Sequence, residues 1–214
     1  ISKAFFVNQM DKEHVDFDKV VDSLKEKYGT KITVLQLPIG QGLNFKGIFD
    51  VIEMKGYGFD GKKVKEIDAP EDVKAKAEEI REAIIENAAE NDEALMEKFF
   101  EGEELTKEDI LQGLKVGIAE GDVVPVFLGA AAPTLGISLL LDNIVEFLPS
   151  PDKKIRIKGK TPKGEEVVYT ADSKQPFAAQ VYKTVTDPFM GTLSIFKILG
   201  GELTVGQAIK DGNA

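Results

Sequence analysis

The segment Asn8-Gln9-Met10-Asp11, which carries three polar side chains, directly follows the apolar run Ala4–Val7. A carboxylate at the C-terminal end of a buried strand lies where open α/β sheets bind their ligands. It can accept the two hydrogen bonds that the N1–H and N2–H edge of guanine donates, and adenine lacks this donor pair. Because charge-assisted hydrogen bonds contribute about 1.5–3 kcal/mol each, Asp11 could select guanine strongly. In the simpler alternative, Asp11 caps the next helix and Asn8 satisfies backbone groups of the loop.

A second candidate loop, Gly129-Ala130-Ala131-Ala132, follows the apolar run Val123–Leu128. Small residues let a ligand approach the backbone closely, so an N–H group of this loop could bond the purine O6 atom. The simpler alternative is a tight connection from strand to helix that tolerates small side chains. Since each loop follows a buried strand, the two together predict the two halves of one guanine pocket.

The apolar pattern predicts that a parallel β-sheet covered by helices positions both loops. Ala4–Val7, Ile32–Leu37 and Val123–Leu128 are short apolar runs, typical of strands that are buried on both faces. Apolar residues recur at helical spacing over 17–28 and 137–148, which predicts two amphipathic helices. The order of these elements favours the α/β class.

Two further parts depart from this alternation of strands and helices. Residues 40–121 combine short strands, joined by a hairpin turn at Asp60-Gly61, with helices, and they predict an inserted α+β subdomain. Within it, Thr106 followed by Asp109 predicts a capping box at a helix start. After Pro151, short strands separated by glycine and proline turns predict an antiparallel β-barrel or sandwich. The predicted domains are therefore 1–39 with 122–150, 40–121, and 151–214.

The composition excludes several kinds of site. The 214 residues include no cysteine and one histidine, which rules out disulfides, thiolate metal sites and multi-histidine metal sites. The net charge of −10 disfavours a generic basic surface for nucleic acid. Because no run of about 18 apolar residues occurs, no transmembrane helix and no membrane partner are expected. From Glu71 to Asp109, fifteen acidic residues stand against five basic ones, which indicates either a solvated helix face or a docking surface for a basic partner.

Four segments of the chain resemble the elongation factor G family of translational GTPases, in the family's order. FFVNQMD resembles the guanine motif N-K-x-D, and VVPVFLGAAAPTLGISLLLDNIVEFLPSP resembles the closing strand, base loop and last helix of the nucleotide domain. QLPIGQGLNFKGIFDVI is similar to the start of the inserted subdomain, and QPFAAQVYKTVTDPFMGTLSIFKILGGEL to the start of the second domain. The resemblance implies a partial P-loop-type GTPase domain with an inserted α+β subdomain, followed by the start of an antiparallel β-barrel.

The resemblance also implies a function, ligands and partners. It implies a monomeric, cytoplasmic, ribosome-dependent GTPase that promotes tRNA and mRNA translocation during protein synthesis and binds GTP or GDP with Mg²⁺. The acidic inserted subdomain would bind the stalk protein of the large ribosomal subunit, and the barrel segment would bind small-subunit ribosomal RNA. By the same resemblance, Asn8 would brace the base-binding loop, Gln9 would lie along the base or ribose, Asp11 would read guanine, and Ala130 and Ala131 would supply the loop that meets O6.

Three positions depart from the family pattern. Gln9 stands where lysine is usual, Ala130 stands where serine is usual, and Pro133 lies in a stretch that usually carries lysine. These departures leave two alternatives open: a ribosomal protection-type or divergent elongation-factor paralogue, and a ribosome-binding module that does not hydrolyse nucleotide.

The P-loop pattern G-x-x-x-x-G-K-[ST] is absent from the chain. Gly159-Lys160-Thr161 matches its tail, but Lys154 stands where the pattern requires glycine. We therefore expect a fragment of a longer protein, which carries the base-recognition half of a GTP site and does not hydrolyse GTP on its own.

Overall fold

The chain separates into two compact units, Ile1–Pro149 and Ser150–Ala214. The computed structural model describes residues 2–60, 63–154, 156–160 and 164–209. Two features of the sequence analysis lie partly outside these ranges: Gly61 of the predicted hairpin turn and Thr161 of the rejected P-loop match. Within the described ranges, no helix is both long and apolar enough to cross a lipid bilayer.

The first unit contains a parallel sheet, an antiparallel sheet and the helices that cover them. Its elements in chain order are β1 (Phe5–Val7), α1 (Phe17–Tyr28), β2 (Ile32–Val34), β3 (Gln36–Ile39), β4 (Gly47–Asp50), β5 (Lys55–Asp60), β6 (Lys63–Ile67), α2 (Glu71–Glu90), α3 (Glu93–Phe100), α4 (Lys107–Glu120), β7 (Val124–Leu128) and α5 (Ile137–Phe147).

The parallel sheet has the strand order β1-β7-β2, which confirms the predicted α/β character of this part of the chain. All five residues of β7 are buried, as expected for the central strand of a sheet that is covered on both faces. Phe127 of β7 is fully buried, and its ring centroid lies 6.5 Å from that of Phe147 on α5. Because Val7 is paired with Leu128, β1 and β7 end side by side and the loops that follow them start as neighbours.

The prediction of one strand over Ile32–Leu37 is wrong, because the chain leaves the parallel sheet within this run. β2 pairs with β7, whereas β3 pairs with β4 in the antiparallel sheet. Leu35 lies between them: its N–H donates to Val126 O at 3.3 Å, and its carbonyl accepts the Val51 N–H at 3.1 Å. Both backbone groups are therefore satisfied while the chain changes sheets, and the buried apolar side chains continue through the change.

The antiparallel sheet has the order β3-β4-β5-β6 and therefore includes residues 36–39, which the sequence assigned to the nucleotide domain. Beside this sheet, α2 packs against α3 and α4. The α2–α4 contact is close at Gly113, where an added Cβ atom would lie 2.7 Å from the carbonyl carbon of Ala88. A glycine at this position lets the two helix backbones approach each other.

The predicted capping box at the start of α4 is confirmed. Thr106 Oγ1 accepts the Asp109 N–H at 3.2 Å, and Asp109 Oδ2 accepts the Thr106 N–H at 3.1 Å. Hydrogen bonds from Thr106 and then from the Lys98 ammonium lower the pKa of the Asp109 carboxyl. The box satisfies N–H groups that have no partner within the helix and so fixes where α4 begins.

The second unit is built from antiparallel strand pairs. β8 pairs with β9, and β10 pairs with β11 over a register that runs from Ala178↔Gly200 to Asp187↔Gly191. At the tip of the longer pair, Asp187 Oδ1 accepts the N–H groups of Phe189 and Met190, both at 2.8 Å. These strands agree with the predicted antiparallel character, and the barrel stays a prediction. The elements are α6 (Pro151–Lys154), β8 (Ile157–Lys160), β9 (Glu166–Tyr169), β10 (Ala178–Asp187) and β11 (Gly191–Gly200).

Candidate functional site

The loops that follow β1 and β7 meet at one end of the parallel sheet. The Gly129 N–H donates to Val7 O at 3.0 Å, and the Met10 N–H donates to Gly129 O at 3.1 Å. A third hydrogen bond joins the loops through a side chain, because Asn8 Oδ1 accepts the Ala131 N–H at 2.9 Å. The structure thus brings together the two loops that the sequence singled out.

The alanines of the second loop differ in what their backbones offer a ligand. Ala130 is fully buried, and both its N–H and its carbonyl are hydrogen-bonded to Leu135 at 2.9 Å. Ala131 and Ala132 are exposed, and the Ala131 N–H is the donor to Asn8. Ala130 therefore shapes the loop, and the side that a ligand could approach is formed by Ala131 and Ala132.

Gln9 occupies the left-handed region of backbone conformation, with φ of 63°. A non-glycine residue in this region is uncommon and indicates that its surroundings hold the turn in place. The turn closes through a hydrogen bond of 3.0 Å from the Lys12 N–H to Gln9 O. The Gln9 side chain is exposed, so it is free to lie along a bound base.

Asp11 does not cap the following helix, and this simpler interpretation of its carboxylate is wrong. The N-cap of α1 is Asp16, whose Oδ1 accepts the Lys19 N–H at 3.1 Å. The Asp11 side chain is 26% exposed, and its Oδ2 lies 3.6 Å from Lys12 Nζ. An exposed ion pair of this kind contributes only about 0–1 kcal/mol, so it would compete weakly with a ligand for the carboxylate.

Three polar or small residues that hold this region were not predicted as site residues. Gln36 is buried, and its Oε1 accepts the N–H of Leu128, the last residue of β7, at 3.1 Å. Gly42 donates a hydrogen bond to Met10 of the first loop, and Gln41 accepts one from Phe17 at the start of α1. The available signals were a polar residue within an apolar run and a glutamine between two glycines, and neither signal identifies its partner.

Among the residues that the structure describes, no three acidic or histidine side chains are grouped as potential metal ligands.

No protein-family model matches the chain. Elongation factor G of Ureaplasma parvum serovar 3 is 39% identical over 212 residues, which are 98% of this chain and 31% of that protein. An elongation factor G-like protein of Thermotoga maritima is 36% identical over 204 residues, which are 95% of this chain and 29% of that protein. A crystal structure from Thermus thermophilus matches with a TM-score of 0.77 at 27% identity, over 97% of this chain and 28% of the other.

The chain spans less than a third of the length of each of these relatives. Over 95–98% of its own length, the chain is therefore homologous to a part of elongation factor G.

Proposed function

We propose that this chain forms the guanine-recognition part of a ribosome-dependent translational GTPase, which promotes tRNA and mRNA translocation in the cytoplasm. The observation that carries the proposal is the hydrogen bond between Asn8 Oδ1 and the Ala131 N–H, which fastens the two candidate loops together. Homology to elongation factor G over nearly the whole chain supports the same assignment.

In this proposal, each part of the guanine base meets a different group of the two loops. The Asp11 carboxylate accepts the N1–H and N2–H bonds, and Gln9 lies along the base or ribose. Asn8 braces the loop through the Ala131 N–H, and the loop that Ala130 and Ala131 form meets O6. The phosphates of GTP or GDP and their Mg²⁺ would be held by a P-loop, a motif that these 214 residues do not contain.

The proposal is tested by the base preference of the 214-residue chain. Guanosine and adenosine monophosphate are titrated separately into isotope-labelled protein, and amide resonances of the two loops are followed by nuclear magnetic resonance. We expect millimolar affinity for guanosine monophosphate and at least roughly tenfold weaker binding of the adenine analogue, because adenine cannot donate to Asp11. Equal affinities for the two nucleotides, or resonance shifts only at residues outside both loops, would count against the proposal.

The same chain is expected to bind GTP weakly, and Mg²⁺ is expected to add little affinity. The reason is that phosphate and Mg²⁺ contacts supply much of the binding free energy in P-loop proteins, and no P-loop motif occurs in this sequence. Isothermal titration calorimetry with and without MgCl₂ measures this directly. Tight, magnesium-dependent binding would contradict the expectation.

We also propose that the acidic face of α2 binds the stalk protein of the large ribosomal subunit. Glu78, Glu82 and Glu86 follow one another at four-residue spacing on α2, and these side chains are exposed together with Glu79. Residues four apart lie on the same helix face, so these charges add to one negative surface. A basic partner would be attracted to it over a distance set by ionic strength.

Neutralising this face is expected to slow stalk association about tenfold at low salt and to flatten its salt dependence. The variant replaces Glu78, Glu79, Glu82 and Glu86 by glutamine, and surface plasmon resonance against immobilised stalk protein gives the rates. A matched control carries the same change in charge at Glu93, Glu101, Glu103 and Glu104, which are exposed outside α2. If both variants lose the same amount of association rate, the effect comes from net charge alone. If the α2 variant binds the stalk protein as fast as the unmodified chain, the docking face is rejected.

For the second unit, we propose a contact with small-subunit ribosomal RNA. Lys183 of β10 and Lys197 of β11 are exposed on paired strands, and lysine ammonium groups are suited to phosphate contacts.

A further inference from the structure

The connection between β3 and β4 folds against the loop that carries Asp11. The Gly42 N–H donates to Met10 O at 3.0 Å, while the Met10 N–H is bonded to Gly129 O. The backbone of Met10 is therefore held on one side by Gly129, which follows β7, and on the other by Gly42 in the connection between β3 and β4. Its side chain is fully buried. Asp11 is the next residue, so its Cα position is set by this double attachment.

The same connection also holds the far end of the segment between Asp11 and α1. Gln41 Oε1 accepts the N–H of Phe17, the first residue of α1, at 2.9 Å. Phe17 is itself buried. Gln41 and Gly42 thus fasten the chain on both sides of Asp11, at Met10 and at Phe17.

Gly42 has little room for any other residue. Its φ is +61°, and an added Cβ atom would lie 3.2 Å from the carbonyl oxygen of Lys12. A side chain here would push on the residue that directly follows Asp11. The turn is closed on itself by hydrogen bonds from Asn44 N–H to Gln41 O at 3.1 Å and from Phe45 N–H to Gly42 O at 3.0 Å, so it is a defined support.

We propose that the Gln41-Gly42 turn is a positioning element that sets the Asp11 carboxylate against the guanine edge. This inference rests on the proposed function, and it makes base selectivity depend on the antiparallel sheet. Hydrogen bonds weaken steeply when their geometry is distorted, and a binding group must be held within about 0.5 Å of its productive position. Loosening the turn should therefore reduce selectivity more than it reduces general nucleotide binding.

The experiment compares guanosine with inosine monophosphate, which lacks the N2 amino group and so loses one bond to Asp11. Affinities are measured by the same resonance titration on the 214-residue chain. The unmodified chain should prefer guanosine monophosphate by about tenfold or more. Gln41→Leu removes the acceptor for Phe17 and should lower this ratio to about threefold or less. Gln41→Glu keeps an acceptor and should restore the ratio.

Asp16→Ala is the matched control for Gln41→Leu, since it removes the other side-chain acceptor at the start of α1. It should lower the melting temperature and leave the guanosine-to-inosine ratio unchanged. This comparison separates a positioning role from a loss of helix stability.

A second pair of variants tests the turn without removing a hydrogen-bonding side chain. Gly42→Ala places a methyl group against Lys12 O, whereas Gly102→Ala imposes a similar backbone strain with nothing within 4 Å of its Cβ atom. We expect the ratio to fall in Gly42→Ala only.

The outcomes separate the two hypotheses. If the unmodified chain does not prefer the guanine base over adenine, the proposed function fails and this inference fails with it. If that preference is present but Gln41→Leu and Gly42→Ala retain the full guanosine-to-inosine ratio, only the positioning role is overturned. A ratio that falls equally in the control variants also overturns it, because the effect would then be a general loss of stability.

Discussion

Replacing Asp11 by asparagine is expected to reverse the base preference of this chain from guanine to xanthine. The asparagine amide carries one acceptor and two donors, so its NH₂ group meets the N2 amino group of guanine donor against donor. Loss of charge-assisted bonding should cost about 3 kcal/mol, which is roughly a hundredfold in affinity for guanosine monophosphate. Xanthine carries a carbonyl at C2, and this oxygen accepts a hydrogen bond from the NH₂ group of the new amide. The N1–H group of xanthine still donates to the amide oxygen.

The reversal is measured by titrating guanosine and xanthosine monophosphate into both proteins. Asp16→Asn provides the matched control, because it removes a carboxylate five residues away that caps α1 and is placed outside the proposed base contacts. The control should keep the guanine preference. If Asp11→Asn keeps it as well, Asp11 does not read the base, and the assignment of this loop has to be abandoned.

The part of the site that could be predicted from sequence is the part that local patterns determine. Short apolar runs indicate buried strands, and the residues that follow parallel strands lie at the same end of the sheet. The pairing of Val7 with Leu128 and the bond from Ala131 to Asn8 follow this expectation. The roles of Asp11 and Gln9 toward a base stay predictions.

The remaining features depend on contacts between residues that are distant in sequence. The change of sheet at Leu35 leaves no local signal, because Val34 before it and Gln36 after it are both buried, one in each sheet. The bond from Phe17 N–H to Gln41 spans 24 residues. A glutamine after a strand is typical of a loop, and only the folded chain shows that it holds the start of α1. In the second unit, the local pattern of short strands and turns predicted antiparallel pairs. Closure into a barrel depends on contacts between distant strands, so this pattern does not determine it.

Gly113→Ala is expected to destabilise the first unit, although alanine ordinarily favours a helix over glycine by about 1 kcal/mol. Gly113 lies in the interior of α4 and is buried against α2. An added Cβ atom would contact the carbonyl oxygen of Ala88 and lie 2.7 Å from its carbonyl carbon and 2.9 Å from its Cα atom. Backbone atoms of a helix cannot move aside as a flexible side chain can, so α2 and α4 must separate. We expect a net loss of about 2 kcal/mol, since overpacking of a close contact outweighs the gain in helix propensity.

Urea denaturation followed by far-ultraviolet circular dichroism measures the loss, and differential scanning calorimetry assigns it to one unit. A shift of this size lowers the melting temperature of a unit of this length by roughly 4–8 °C. Gln112→Ala is the matched control, because Gln112 is the exposed neighbour on the same helix and its replacement should stay within about 0.5 kcal/mol. A Gly113→Ala protein as stable as the control would show that the two helices are not in close backbone contact at Ala88. The position of α2 relative to α4 would then have to be revised.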